Sequence, residues 1–166
     1  MDHVLDAFIT QLNTTMKIKE FSLGLAFALL CAASLDAQVA TTSIELTGND
    51  SMKFNITSFT VKPGEVVYVS LSNIGTLPKT VMGHNWILLK AGKDGAAYSS
   101  AAANAKDENY EPKALAGDVI ASIGLLGARQ NGEVTFTAPT VRGNYVYLCS
   151  FPGHFQVGMR GVMTVK

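Results

Sequence analysis

Tyr145-Val146-Tyr147-Leu148-Cys149-Ser150-Phe151-Pro152-Gly153-His154-Phe155-Gln156-Val157-Gly158-Met159-Arg160-Gly161-Val162-Met163-Thr164-Val165 reads as strand, tight loop and strand. The alternation from Tyr145 to Leu148 delivers Cys149 to the end of a strand. Pro152-Gly153 then turns the chain, because Pro presets φ and Gly accepts positive φ, and His154 can point back toward the same spot. Met159 follows five residues later, and Gly161 to Val165 resumes as a strand. One short loop between two strands therefore presents a thiol, an imidazole and a thioether. A second imidazole, His84, stands at the head of another apolar segment in Met82-Gly83-His84-Asn85-Trp86.

Working outward, the chain is a series of short β-prone runs broken by turn signals. Thr41 to Thr47 alternates and is closed by Gly48-Asn49-Asp50. Phe54, Ile56 and Phe59 to Val61 form the next segments, ended by Lys62-Pro63-Gly64-Glu65. Val66 to Ser72, His84 to Lys90, Val119 to Ile123 and Glu133 to Thr137 complete the set with the two strands quoted above. This spacing predicts an all-β fold, a Greek-key sandwich or barrel of about eight strands. Ala91 to Gly117 breaks the pattern, being rich in Ala, Ser, Asn and charge. It predicts a helical flap insertion, with a helix centred on Ala96 to Ala105.

The first 37 residues differ from the rest. Met16-Lys17-Ile18-Lys19 is a basic start, Phe21 to Ala33 is almost continuously apolar, and Ala37-Gln38 is a candidate cleavage point. This is the pattern of a secretory signal peptide, with Met16 as the expected initiator, or alternatively of a tandem leader. The expected organisation is a leader over residues 1–37 and a single domain over 38–166. That domain keeps eleven Lys and Arg against nine Asp and Glu, with no basic stripe, so nucleic acid is not an expected partner. No membrane span is expected in it. Cys31 and His3 fall in the leader, so the exported domain keeps one cysteine and two histidines. Cys149 is then an orphan thiol in an oxidising compartment.

All the strong donors of the domain, His84, Cys149 and His154, lie in the two quoted motifs, with Met159 beside them. Two imidazoles, one thiolate and a weak thioether form the set that copper electron-transfer sites use. Thiolate stabilises Cu(I) yet donates strongly to Cu(II), and the thioether tunes the potential. Zn(II) also binds Cys and His, but the Met donor favours copper.

With these residues in view, the chain resembles the small blue copper proteins, the cupredoxins, and within them the azurin and auracyanin group. Leu77-Pro78-Lys79-Thr80-Val81-Met82-Gly83-His84-Asn85-Trp86 resembles the loop around the first histidine ligand, and Cys149 to His154 resembles the second ligand loop. The resemblance covers nearly all of Ile44 to Lys166. It implies one copper ion held by His84, Cys149 and His154, with Met159 axial and the Gly83 carbonyl as a long second axial contact. It implies that Asn85 ties the two ligand loops together, and that Ser150 and Phe151 supply an amide and apolar cover near the thiolate. It further implies that His154 reaches the surface within a hydrophobic docking patch, for which Met82, Phe155 and Val157 are the candidates. Three departures stand out. Four residues separate His154 from Met159, one more than in azurin proper; no second cysteine of the domain can close the azurin disulfide; and Asn73 replaces a titrating histidine.

The resulting expectation is a monomeric periplasmic electron carrier, not an enzyme, exchanging electrons with redox proteins such as a c-type cytochrome or a reductase. The alternative is a copper-delivery protein whose metal is cargo. The absence of a Met- or His-rich uptake tract favours electron transfer. One cysteine excludes a binuclear centre bridged by two thiolates, and two histidines leave no second metal site for copper enzymology.

Overall fold

The computed structural model describes residues 41–166. The leader read over residues 1–37, with its Met16 start, His3 and Cys31, lies outside the described residues.

Eight strands form two sheets. They are β1 (Thr41–Gly48), β2 (Ser58–Val61), β3 (Val66–Asn73), β4 (His84–Leu89), β5 (Val119–Leu126), β6 (Asn131–Thr137), β7 (Gly143–Leu148) and β8 (Arg160–Val165). The first sheet runs β1-β3-β6 and the second β2-β8-β7-β4-β5. No ladder joins the two sheets among the described residues, so the fold is a sandwich and not a closed barrel. β3 alternates as its sequence does, with Val67, Val69, Leu71 and Asn73 buried and the residues between them half-buried. Gly64 takes φ +73° in the turn before it, as Pro63-Gly64 requires.

Trp86 bridges the sheets, its ring 6.1 Å from Phe136 of β6 and 5.9 Å from Tyr147 of β7. β4 is buried at all six positions because both of its faces are covered. Asn85, on the face opposite Trp86, meets Ser150, whose hydroxyl reaches the Tyr110 carbonyl in the flap. The flap carries the helix α2 (Gly95–Ala102), capped by the Asp94 side chain on the Ala96 amide at 2.8 Å, and two 3-10 turns, Lys106–Glu108 and Lys113–Asp118. The helix stops three residues short of the expected Ala105. Its only guide was Ala propensity, and Asn104 turns back to the Ser100 carbonyl at 3.3 Å. A one-turn helix α1 (Lys79–Met82), not expected from the sequence, precedes β4, with the Val81 and Met82 amides both on the Pro78 carbonyl. Phe54 forms only an isolated bridge to Gly48, not a strand.

This frame places the donors. β4 and β7 are antiparallel neighbours, with Leu88 opposite Tyr147. Side chains two apart share a face, so Leu88, Trp86 and His84 form one series and Tyr145, Tyr147 and Cys149 another. Both series end at the same end of the sandwich.

Candidate metal centre

His84 Nδ1 lies 3.3 Å from His154 Nδ1, and Cys149 Sγ lies 3.4 Å from His154 Nδ1 and 4.0 Å from His84 Nδ1. All three side chains are buried, and together they form a group able to hold a metal ion. Donors bound to one ion at about 2.0–2.3 Å in a trigonal plane lie roughly 3.5–3.7 Å apart, so the three atoms already stand at ligand spacing. Met159 is fully buried beside them. A Cβ on Gly48 would lie 2.9 Å from the Met159 Cε and 3.0 Å from the His84 ring, so thioether and imidazole press on the same glycine. Gly83 is buried directly before His84; a Cβ there would meet the Lys79 carbonyl at 2.7 Å.

The His84 tautomer follows from its neighbour. His84 Nε2 lies 3.0 Å from the Asn49 carbonyl, which can only accept, so Nε2 carries the proton and the Nδ1 lone pair faces the centre. Asp50 steadies that turn by accepting from the Thr76 amide at 2.9 Å and the Thr76 hydroxyl at 3.0 Å. The Thr76 amide in turn holds the Asp50 carboxyl below the usual carboxylate range. The ligand loop is laced by its own backbone: Cys149 N donates to Met159 O at 3.0 Å, and Met159 N to His154 O at 2.9 Å. Lys53 Nζ donates to the Val157 carbonyl at the apex of the lengthened turn, and the Arg160 guanidinium lies 4.4 Å over the Phe155 ring. Asn85 ties the two loops as expected: its Oδ1 accepts from the Ser150 amide and its Nδ2 donates to Ser150 Oγ, both at 2.7 Å.

Burial pushes the Cys149 thiol up to about 12, while amides of Asn85 and Phe151 hydrogen-bonded to the sulfur act the other way. Burial also lowers His84, and it lowers His154 to about 4 with the neighbouring His84 adding to the effect. At neutral pH the metal-free centre thus holds two neutral imidazoles and one thiol. A metal that takes the sulfur expels a single proton. Two soft-to-borderline nitrogens, a thiolate and a thioether in a dry pocket suit copper.

Two expectations of the surface patch need correction. His154 is only 1% exposed, with the Phe151 ring packed 4.8 Å from its own. Phe155 is 7% exposed and turned inward; a Cβ on Gly95 of α2 would meet its Cε2 at 2.9 Å. Val157 is exposed at 45% and Met82 is half-buried. Gly48, Asn49, Asp50, Lys53 and Tyr110 were not foreseen as parts of the centre. Gly48-Asn49-Asp50 carried a signal, but one that reads only as a strand-closing turn, since a backbone carbonyl leaves no mark in a sequence.

The profile of the copper-binding proteins of the plastocyanin/azurin family matches residues 40–166. Azurin of Pseudomonas aeruginosa is 36% identical over 144 residues, spanning 85% of this chain and 96% of that protein. Auracyanin-B of Chloroflexus aurantiacus is 36% identical over 120 residues, spanning 70% of this chain and 48% of that one. Among solved structures, dithionite-reduced auracyanin from Roseiflexus castenholzii superposes with a TM-score of 0.68 at 34% identity, covering 76% of this chain and 98% of the other.

Proposed function

Since the chain belongs to the plastocyanin/azurin family of copper-binding proteins and has copper as its cofactor, we propose that it is a periplasmic electron carrier. The observation that carries this reading is the buried His84–Cys149–His154 triad, already at ligand spacing and fixed by hydrogen bonds. In this reading His84 Nδ1, His154 Nδ1 and Cys149 Sγ would hold the ion, with Met159 and the Gly83 carbonyl as weaker donors. The bound copper supplies a one-electron Cu(I)/Cu(II) couple. The residues around it keep the donors in one geometry: Asn49 fixes the His84 ring, Asn85 couples the loops, and Phe151 keeps water off His154. Little has to move when an electron arrives or leaves, which suits a carrier and makes no product of its own.

The working form in this proposal is a monomer of residues 38–166, released from a leader over 1–37. Its partners are redox proteins such as a c-type cytochrome or a reductase, docking on apolar residues of the ligand loops. Val157 and Met82 remain candidates for that patch, joined by Leu77 ahead of α1 and Val81 within it, both exposed near the His84 ligand in sequence, while the buried Phe155 drops out. No helix among the described residues is long and apolar enough to cross a membrane.

The test is a visible and EPR spectrum of residues 38–166 loaded with Cu(II) and then treated with ascorbate. An intense thiolate-to-copper band that bleaches and returns on reoxidation is the expected result. Protein that takes up copper only as Cu(I), or that keeps Zn(II) against excess copper, would replace this reading with metal delivery.

Two further outcomes follow from neighbours of the centre. Asn73 is buried, accepts from the Gly75 amide at 3.0 Å and donates to the Leu126 carbonyl at 3.3 Å. An amide in this place does not titrate, so the reduction potential is expected to stay flat between about pH 5 and 8, where a histidine would switch; voltammetry across that range checks it. Gly48→Ala sets a methyl against both Met159 Cε and the His84 ring. The flexible thioether yields and the ring, held by Asn49, does not. Copper is retained while the Cu(I)/Cu(II) equilibrium shifts by roughly tenfold, ~59 mV for one electron. An unchanged potential and spectrum would show that Met159 does not contribute.

A further inference from the structure

Asn109 and Tyr110 are consecutive residues with positive φ, 53° and 60°. Asn tolerates that conformation, but a bulky aromatic residue adopts it only when its surroundings impose it. The flap imposes it: the Asn109 amide donates to Lys106 O, and the Tyr110 amide donates to Ala105 O at 2.9 Å. The turn aims both ends of Tyr110 at the ligand loop. Its carbonyl accepts from Ser150 Oγ at 2.5 Å, and its buried ring stands edge-on to Phe151 with centroids 4.9 Å apart. Ser150 follows Cys149 in the chain, and the Phe151 amide hydrogen-bonds to the Cys149 sulfur.

We infer that Tyr110 is a positioning residue of the copper centre, holding the Phe151 amide against the Cys149 sulfur through its ring on Phe151 and its carbonyl on Ser150. An amide hydrogen bond draws charge from the sulfur, weakening its donation to Cu(II) more than to Cu(I) and so favouring the reduced state. The flap, remote from the ligands in sequence, thereby sets the redox equilibrium. In its redox arm this inference rests on the proposed copper reading; its structural arm is measured without metal.

The experiment compares wild type with Tyr110→Ala and Tyr110→Phe. Tyr110→Ala is expected to shift the Cu(I)/Cu(II) equilibrium about tenfold toward Cu(II), a fall of ~59 mV for one electron. It should also displace the thiolate-to-copper band and speed amide exchange at Phe151 at least tenfold in metal-free protein. Tyr110→Phe keeps the edge-on ring and is expected to match wild type in all three, the backbone carbonyl on Ser150 being common to every variant. A lower melting temperature with unchanged potential overturns the inference and leaves Tyr110 as ordinary packing. Should Tyr110→Ala fail to fold, Tyr110→Leu keeps apolar volume without the edge-on ring, and a wild-type potential there has the same meaning. Failure of the copper reading itself shows separately, as a wild-type protein without the band.

Discussion

Cys149→Ser, loaded with Cu(II), is expected to lack the intense visible band of the wild type while keeping the fold. The colour requires a sulfur that gives charge to the metal, and a serine hydroxyl is neither deprotonated at neutral pH nor soft. The fold survives because the substitution is close in volume at a position that is fully buried. The amides of Asn85 and Phe151, which hydrogen-bond to the sulfur, can donate to the new oxygen instead. Melting of the metal-free variant should therefore lie within about 1 kcal/mol of wild type. The copper-bound forms should differ far more. A ligand at 1,000 times its Kd stabilises the native state by about 4 kcal/mol, and the variant loses most of that increment. Absorption spectra and paired melting curves, with and without copper, measure both effects. A retained band would remove Cys149 from the centre.

Gly161→Ala is expected to be the most destabilising conservative change near the site. Gly161 of β8 lies opposite Tyr147 of β7 in register. A Cβ there would collide with the Tyr147 ring and hydroxyl and lie 2.5 Å from the Thr57 carbonyl, so both a buried ring and backbone block it. The ring cannot step aside, since it packs on Phe54, Phe59 and Trp86 at 5.5–5.9 Å. Its hydroxyl donates to the Ile56 carbonyl at 2.7 Å. Overpacking costs about 1–3 kcal/mol, and losing that hydrogen bond about 1 kcal/mol more. For a domain of this size the melting temperature should fall by roughly 10–15 °C. A fall of less than ~3 °C would mean that the strands separate easily at this point.

Where side-chain period and turn chemistry act over a few residues, the chain was legible. β3 repeats the alternation of Val66 to Ser72, and β1 ends at the Gly48 turn. Legibility failed where structure depends on what lies alongside. The flap helix has little apolar face to mark its ends, and α1 is a single turn set by the Pro78 carbonyl. The inward turn of Phe155 reflects the nearness of Gly95, sixty residues earlier, which no local pattern announces.

The donors divide in the same way. Residue type alone singles out His84, Cys149 and His154, because metal-binding chemistry resides in side chains and residues 38–166 hold no other histidine or cysteine; Met159 stands out from the three other methionines there by its place in the ligand loop. The tertiary structure decided the rest. It made β4 and β7 neighbours, so that two inward series end together. It set the Asn49 carbonyl on His84, left Gly48 bare beneath Met159, and brought Tyr110 against the ligand loop. These are backbone groups, missing side chains and contacts between distant segments. Their effect depends on position in space, which only the packed sheets determine.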